Sequence, residues 1–389
     1  MESGGVPVIG TRQAVIVAAD LLTPYGRGID AFWQGISSGR TAISRVDRFS
    51  TKAFTSSVAG IVPGLSYHQG ETLAMQMLRR LFEGASGTIP KDAKLFLATT
   101  KGEIDLLEQA VLAKQGDPAA CGLDELAKKA ADHAGVADRG LVISAACASG
   151  SAAISRAAAA IRGGHASCVL VTAVDAVTEF VYAGFSSLMA LDAIPARPFD
   201  RGRKGLSLGE AAAYALVMSE ERAKQEGRPI LGRIEGWGLS DDANHMTGPS
   251  RTGEGLARAI TKALASAGAD KGSIACISAH GTGTLYNDAM ELQAFRTVFD
   301  GRAVPLYSVK GGIGHTLGAA GLIEVIIALR SLAERIAPPT VGLSEPDRDA
   351  EGWASPSRQS LAKGRFALVT NAGFSGINAA VVVSAGVSA

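Results

Sequence analysis

Short apolar runs, several ending in glycine-bearing loops, alternate along the whole 389-residue chain with stretches of small, helix-favouring residues. This alternation restricts the fold to the α/β class, with buried strands covered by helices. Strands are expected at 15–18, 95–98, 141–144 and 169–173 in the first half, and at 274–278, 305–308, 366–369 and 379–383 in the second. Helices are expected at 28–37, 72–81, 149–161, 253–267, 288–299 and 317–334. The chain thus runs the same programme twice. The polar run 220–229, closing on Gly227 and Pro229, carries helix-stop and linker signals. The expected division is therefore 1–228 and 229–389. A Pro-, Ser- and Asp-rich region, 338–360, is expected to wrap the surface.

Composition narrows the function classes. Hydrophobic residues make up 47% and charged residues 19%, with a net charge of +1, which describes a globular chain without a footprint for nucleic acid or an anionic membrane. Residues 1–5 do not read as a secretory signal, so a cytoplasmic location is expected. The apolar run 317–332 is interrupted by Glu324 and Arg330 and is too short to span a bilayer. Cys121, Cys147, Cys168 and Cys276 form no C-x-x-C pair. Neither a disulfide framework nor a metal site is expected.

Cys147 stands where the apolar run ending at Ser144 gives way to the Ala-rich stretch from Ser149. A thiol at a helix N-terminus gains from unpaired backbone N–H groups and the helix dipole, both of which favour the nucleophilic thiolate. The alternative is a small cysteine packed in a helix. His280 opens His280-Gly281-Thr282-Gly283-Thr284 directly after the apolar run 274–279, at the strand edge where α/β proteins bind ligands. There the glycines allow close backbone approach and the threonines supply hydroxyls. His315 occupies an equivalent place in Lys310-Gly311-Gly312-Ile313-Gly314-His315. Two neutral imidazoles can donate N–H groups to a thioester oxygen that is gaining charge. Lys310 has Glu324 as a candidate partner. The run Gly373-Phe374-Ser375-Gly376 is one residue too short for a G-x-S-x-G elbow, and no phosphate-binding P-loop is present. His68, His133, His165 and His245 lack comparable context, with His245 the best candidate for an entrance-loop residue.

Taken together, the Cys147 segment, His280-Gly-Thr-Gly-Thr with Asn287 and Asp288, Lys310 with Gly314-His315-Thr316, and Gly373-Phe374 resemble the elongating β-ketoacyl-acyl carrier protein synthases of the thiolase superfamily. The resemblance extends to Thr23-Pro24-Tyr25-Gly26, Arg197-Pro198-Phe199-Asp200 and Gly209-Glu210. It implies a thiolase-like five-layered αβαβα fold built from two similar halves, normally dimeric, and the decarboxylative condensation of an acyl primer with a malonyl group in fatty acid, polyketide or polyene synthesis. By the same resemblance Cys147 accepts the primer, and His280 and His315 stabilise the enolate. Backbone N–H groups of Cys147 and Phe374 form the oxyanion hole, with the Phe374 ring as gate to the acyl pocket. Thr282 and Thr284 contact the phosphopantetheine arm, and Lys310 with Glu324 forms an ordering ion pair. No cofactor of its own is implied, since substrates ride on the phosphopantetheine of an acyl carrier protein.

The chain also departs from the family. The usual Gly-rich first turn reads Ala18-Ala19-Asp20, the usual Gly-Phe-Gly-Gly reads Gly373-Phe374-Ser375-Gly376, and 99–137 is shorter than in fatty acid elongation enzymes. Lys101 falls on a pocket-floor position that is usually small or apolar. An unpaired lysine there disfavours saturated chains, which suggests a shorter or more polar acyl group. Otherwise Lys101 pairs with Glu103 or Asp105 or turns into a subunit interface. A thiolase needs a late second cysteine, but Cys276 is the last, and an initiating synthase would carry Asn in place of His315. The remaining alternatives are a ketosynthase subunit active only beside a chain-length-factor-like partner, or that non-catalytic partner itself. The partner lacks the nucleophile that Cys147 supplies here.

Overall fold

The computed structural model describes residues 12–67, 71–85, 87–112, 114 and 116–386; His68 and residues 1–5 lie outside them. Ten strands form the main path of one hydrogen-bonded sheet. In the first half these are β1 (Ala14–Thr23), β2 (Lys94–Ala98), β3 (Leu141–Ile143), β4 (Cys168–Asp175) and β5 (Ala211–Ser219). In the second they are β6 (Gly232–Asp241), β7 (Ile274–Ser278), β8 (Leu306–Tyr307), β9 (Phe366–Ala372) and β10 (Ile377–Ala385). The first half runs β3-β2-β4-β5-β1 and the second β8-β7-β9-β10-β6. Parallel and antiparallel neighbours also match strand for strand: β2 lies parallel to β3 and β4, β7 to β8 and β9, and the remaining neighbours within each half are antiparallel. The halves meet where β1 pairs with β6, Val15 opposite Arg233 and Ile16 opposite Gly232.

Besides a single turn at Lys310–Ile313, the α-helices among the described residues are α1 (Ile29–Ser37), α2 (Leu73–Phe82), α3 (Ile104–Leu112), α4 (Leu123–Ala134), α5 (Ser149–Arg162), α6 (Glu179–Ser187), α7 (Glu220–Gln225), α8 (Glu254–Ala267), α9 (Leu285–Val298) and α10 (Ala320–Glu334). Successive strand residues face opposite sides of a sheet, and here both sides are covered. Val169, Val171 and Ala173 of β4 and Val381 and Val383 of β10 pack on Ile154 of α5 and Leu322 and Ile326 of α10. The alternate residues Cys168, Leu170 and Val174 pack outward on α2 and α4, and Leu368, Ala380 and Val382 pack outward on α8 and α9. The layers are therefore α2/α4, sheet, α5/α10, sheet, α8/α9, the five-layered thiolase-like arrangement. Burial on both faces explains why β4 is apolar on both faces, interrupted only by Thr172 before it closes on Asp175.

The two central helices cross at their first turns. A Cβ on Gly150 would lie 2.6 Å from the backbone nitrogen of Leu322, and one on Gly321 would lie 2.5 Å from that of Ser151. Only glycine permits this backbone-to-backbone approach.

Several expectations need correction. Strands β5 and β6 were not anticipated: β5 is alanine-rich and reads as helix, and glycines in β6 read as turns. Those glycines clear space for α8, since a Cβ on Gly238 would lie 2.0 Å from the Ala259 carbonyl oxygen. Helices α3, α4 and α6 were also missed. The expected linker 220–229 begins with α7, which the Ser219 side chain caps by accepting from the Arg222 N–H and which buries Ala223 completely. The expected helix 317–334 breaks at Leu317, whose φ is +52°, and a short 3₁₀ turn precedes α10. Helix α9 starts at Leu285, earlier than the expected 288. Among the described residues no helix is long and apolar enough to cross a membrane.

Candidate active site

The repeated topology brings equivalent loops to one place. Cys147 lies between β3 and α5, and His315 lies between β8 and α10, the matching connection of the second half. His280 follows β7, whose counterpart β2 leads into Lys101, and Phe374 follows β9.

Ala146, immediately before the cysteine, has a φ of +48°, a left-handed conformation that a residue with a Cβ adopts only when its surroundings enforce it. The Ser149 hydroxyl enforces it by accepting from the Ala145 N–H at 2.8 Å and donating to the Ala146 carbonyl at 2.6 Å. Helix α5 begins at Ser149, two residues beyond Cys147. Burial pushes the Cys147 thiol up to about 11, against the opposing influence of the Lys101 and Lys310 charges and of a hydrogen bond that the Phe374 N–H donates to sulfur. The helix terminus favours the charged form, but here burial works against it and outweighs the groups that favour the thiolate.

His280 and His315 meet edge to face, with ring centroids 5.1 Å apart and planes at 89°. Both are buried, and burial, followed by the Lys310 charge, holds their pKa values well below the usual imidazole range. Each ring is therefore neutral at physiological pH and carries one N–H. The Asn371 side chain defines which nitrogen carries it in His280. Its Oδ1 accepts from the Ser151 hydroxyl and its Nδ2 donates to Glu324 Oε2 at 2.6 Å, so the nitrogen facing His280 Nδ1 at 3.4 Å is a donor. Nδ1 accepts and the proton resides on Nε2. His315 is held through its backbone, its N–H donating to the Ser207 carbonyl at 2.7 Å and its own carbonyl accepting from Gly209 at 3.0 Å.

The ion pair expected from sequence is present. Lys310 Nζ lies 2.5 Å from Glu324 Oε1, and the side chains are 2% and 0% exposed. The His280 loop is shaped by Glu291, which accepts from the backbone N–H groups of His280 at 2.8 Å and Gly281 at 2.6 Å, from Asn287 Nδ2 at 3.0 Å and from the Thr370 hydroxyl at 3.2 Å. Burial, and next the neighbouring Asp288, raise its pKa to about 8. Asp288 in turn accepts from the N–H groups of Thr282 and Gly283, and the hydroxyls of Thr282 and Thr284 lie 3.0 Å apart.

Two cavities meet at the thiol. One, of about 410 Å³, is lined by Cys147, His280, Thr282, Thr284, His315 and Phe374. The other, of about 550 Å³, is lined by Cys147, Phe374, Phe185, Thr100 and Lys101. Phe374 borders both and stacks on Phe185, with centroids 5.5 Å apart. Ser375, beside it, has a φ of +68° and donates its N–H to the Met246 carbonyl at 2.6 Å. His245 lines the first cavity from an exposed loop, its Nδ1 accepting from the N–H groups of Thr247 at 3.1 Å and Gly248 at 3.0 Å. His133 and His165 are exposed.

Lys101 is half-buried on the second cavity, and neither expected partner holds it. Glu103 is bound by Lys129 at 2.7 Å and the Thr72 hydroxyl at 2.6 Å, while Asp105 accepts from the Leu73 N–H at 2.8 Å. Three polar groups of the site escaped the sequence reading: Glu291, Asn371 in its orienting role, and Asp175, which accepts from the Thr99 hydroxyl and the Thr100 and Gly318 N–H groups. Only the position of Asn371 just past the expected strand 366–369 hinted at any of them; the strand in fact runs on through it, to Ala372.

The N-terminal domain model of the beta-ketoacyl synthase family matches residues 126–223, and the C-terminal domain model matches residues 231–344. The chain is 29% identical over 402 residues to 3-oxoacyl-[acyl-carrier-protein] synthase 2 of Synechocystis sp., covering 94% of this chain and 96% of that protein. It is also 29% identical over 413 residues to the tetracenomycin polyketide synthase ketoacyl synthase alpha subunit of Streptomyces glaucescens, covering 96% and 97%. Among solved structures, the ishigamide ketosynthase/chain length factor matches with a TM-score of 0.87 at 28% identity, covering 97% of this chain and 100% of that one. A type II polyketide ketosynthase in complex with its acyl carrier protein matches with a TM-score of 0.87 at 25% identity, covering 96% and 100%.

Proposed function

The chain belongs to the beta-ketoacyl synthase family and is a condensing acyltransferase, and from that premise we propose that Cys147, His280 and His315 carry out a decarboxylative Claisen condensation on carrier-bound substrates. The observation that carries this reading is the convergence on one cavity of a buried thiol, a backbone N–H bonded to its sulfur, and two neutral imidazoles at right angles.

In the first half-reaction the Cys147 sulfur attacks the thioester carbonyl of an acyl carrier protein. The tetrahedral oxyanion is held by the N–H groups of Cys147 and Phe374, the carrier thiol leaves with the proton, and the acyl group stays on Cys147. In the second, a malonyl thioester enters through the cavity that contains Thr282 and Thr284, whose hydroxyls suit the amides of a phosphopantetheine arm. Its carbonyl oxygen accepts from Nε2–H of His280 and from the N–H of His315. As the C–C bond to the carboxylate breaks, carbon dioxide departs and the electron pair forms an enolate, whose negative oxygen those donors stabilise. The enolate carbon attacks the acyl thioester, the C–S bond to Cys147 breaks, and the departing thiolate takes up a proton from solvent. Neutral imidazoles can fill this role, because each still carries one N–H to donate. Asn371 and the Lys310–Glu324 pair act through His280, holding its tautomer and its orientation.

The partners follow from the same reading: an acyl carrier protein, and a second subunit that is either another copy or a chain-length-factor-like chain. Edge strand β3 and the exposed Leu141, Phe180, Leu188 and Met189 offer a face for that subunit. Intact-mass analysis after incubation with acyl carrier proteins tests the assignment. A primer-sized gain in the wild type that is lost in Cys147→Ala is expected. No gain with any primer would favour a subunit active only beside a chain-length-factor-like partner, or the non-catalytic partner itself.

A further inference from the structure

The second cavity has a wall that a pocket for saturated chains would not need. Asp175 fixes the loop beneath Lys101, accepting from the Thr99 hydroxyl at 2.9 Å, the Thr100 N–H at 2.9 Å, the Thr100 hydroxyl at 2.9 Å and the Gly318 N–H at 2.7 Å. The turn after β2 is thereby tied to the turn that follows His315. Among the described residues the Lys101 ammonium hydrogen-bonds only the Thr100 hydroxyl, at 3.4 Å, and it lies 6.0 Å from the Phe185 ring centroid. Among the described residues no carboxylate is within ion-pairing distance of it.

The cavity is two-sided: Phe185, Leu317 and Phe374 form an apolar wall, Thr100 and Lys101 a polar one, and Cys147 opens onto both. A saturated chain laid there would strip water from the ammonium and offer it no replacement. A ketone oxygen offers a charge-assisted hydrogen bond, and a conjugated chain offers its π face, while either chain still covers the aromatic wall.

Resting on the acyl-cysteine reading above, we propose that Lys101 determines acyl specificity: the cavity takes chains that bring an electron-rich group, a ketone oxygen or a conjugated π system, beside the ammonium, and it discriminates against saturated chains of the same length. The test compares rates of primer transfer to Cys147, read by intact mass, for three carrier-bound primers of equal length: saturated, conjugated, and bearing a mid-chain ketone. The wild type should prefer an electron-rich primer by about tenfold. Lys101→Met, which keeps length and removes charge, should erase that preference by accelerating the saturated primer. Preference confined to the ketone primer assigns hydrogen bonding, and preference confined to the conjugated primer assigns the π contact. Equal wild-type rates overturn the proposal without any variant, as does an unchanged preference in both Lys101→Met and Lys101→Gln. Failure of all three primers to label Cys147 sinks the acyl-cysteine reading, whereas labelling without discrimination sinks only the role of Lys101.

Discussion

Replacing Lys310 with Met should destabilise the protein by an amount that grows with pH. The lysine and its partner Glu324 are 2% and 0% exposed, and Nζ supplies the closer of the two contacts to the carboxylate. Without it Glu324 keeps one donor, Asn371 Nδ2, for two buried oxygens. Breaking a buried pair on one side costs about 3–5 kcal/mol. Burial already raises the Glu324 pKa, and Lys310 is the foremost group opposing that rise. In the variant the folded-state pKa therefore climbs further above the unfolded value. A carboxyl so shifted holds its proton in the folded state and loses it on unfolding, so stability is retained below the unfolded pKa and falls as pH rises toward the folded one, by up to about 1.4 kcal/mol per pH unit. Urea titrations of wild type and variant at several pH values from 5 to 8 should show a widening gap. In Lys310→Met/Glu324→Met, where no charge is left stranded, most of the loss should disappear, and so should its pH dependence. A pH-independent gap, or a double variant as unstable as the single, would refute the reasoning.

The buried imidazoles give the opposite slope. With its folded-state pKa depressed, His280 takes up a proton only on unfolding, so it lowers stability as pH falls below the ordinary imidazole value, by about 1.4 kcal/mol per unit; the wild-type minus His280→Gln difference between pH 5 and 7 should carry that slope, and parallel curves would discount a neutral buried ring. Because burial holds the Cys147 thiol near 11, its alkylation by iodoacetamide should rise about tenfold per pH unit through neutrality; a plateau below pH 8 would mean that the helix terminus dominates after all. Gly321→Ala forces a Cβ to within 2.5 Å of the Ser151 nitrogen and 2.6 Å of Asn371 Oδ1, so it should cost about 1–3 kcal/mol and reduce condensation beyond what the lost folded fraction explains, whereas wild-type stability and rate would contradict the close helix crossing.

How much of this was legible in the sequence depended on how local the signal was. Cys147, His280 and His315 were visible because each follows an apolar strand and stands in a small-residue loop, a pattern contained within about a dozen positions. Glu291 and Asn371 gain their meaning from contacts across the fold. Asn371 touches residues 220, 91 and 47 positions away, and no spacing encodes that. The two missed strands failed for a related reason. Alanine in β5 and glycine in β6 are there to let helices lie close on the sheet, and read alone those residues suggest helix and turn. The sequence reveals the helix N-terminus at Cys147 but not the depth at which the thiol is buried, and that depth sets its pKa.

The strand that joins the halves also constrains how the protein is made. β1 is synthesised well before both of its neighbours in the sheet, β5, met at Ser219 and upstream, and β6, met at Gly232 and Arg233. A nascent chain that ends before Gly232 holds Val15 and Ile16 with one flank bare, and before β5 emerges it holds them with neither neighbouring strand. Both pairings close loops of roughly two hundred residues, the kind of non-local contact that slows folding and leaves strand edges open to misassociation. β1 thus waits for partners made long after it, and its seating joins the half that carries the thiol to the half that carries the histidines.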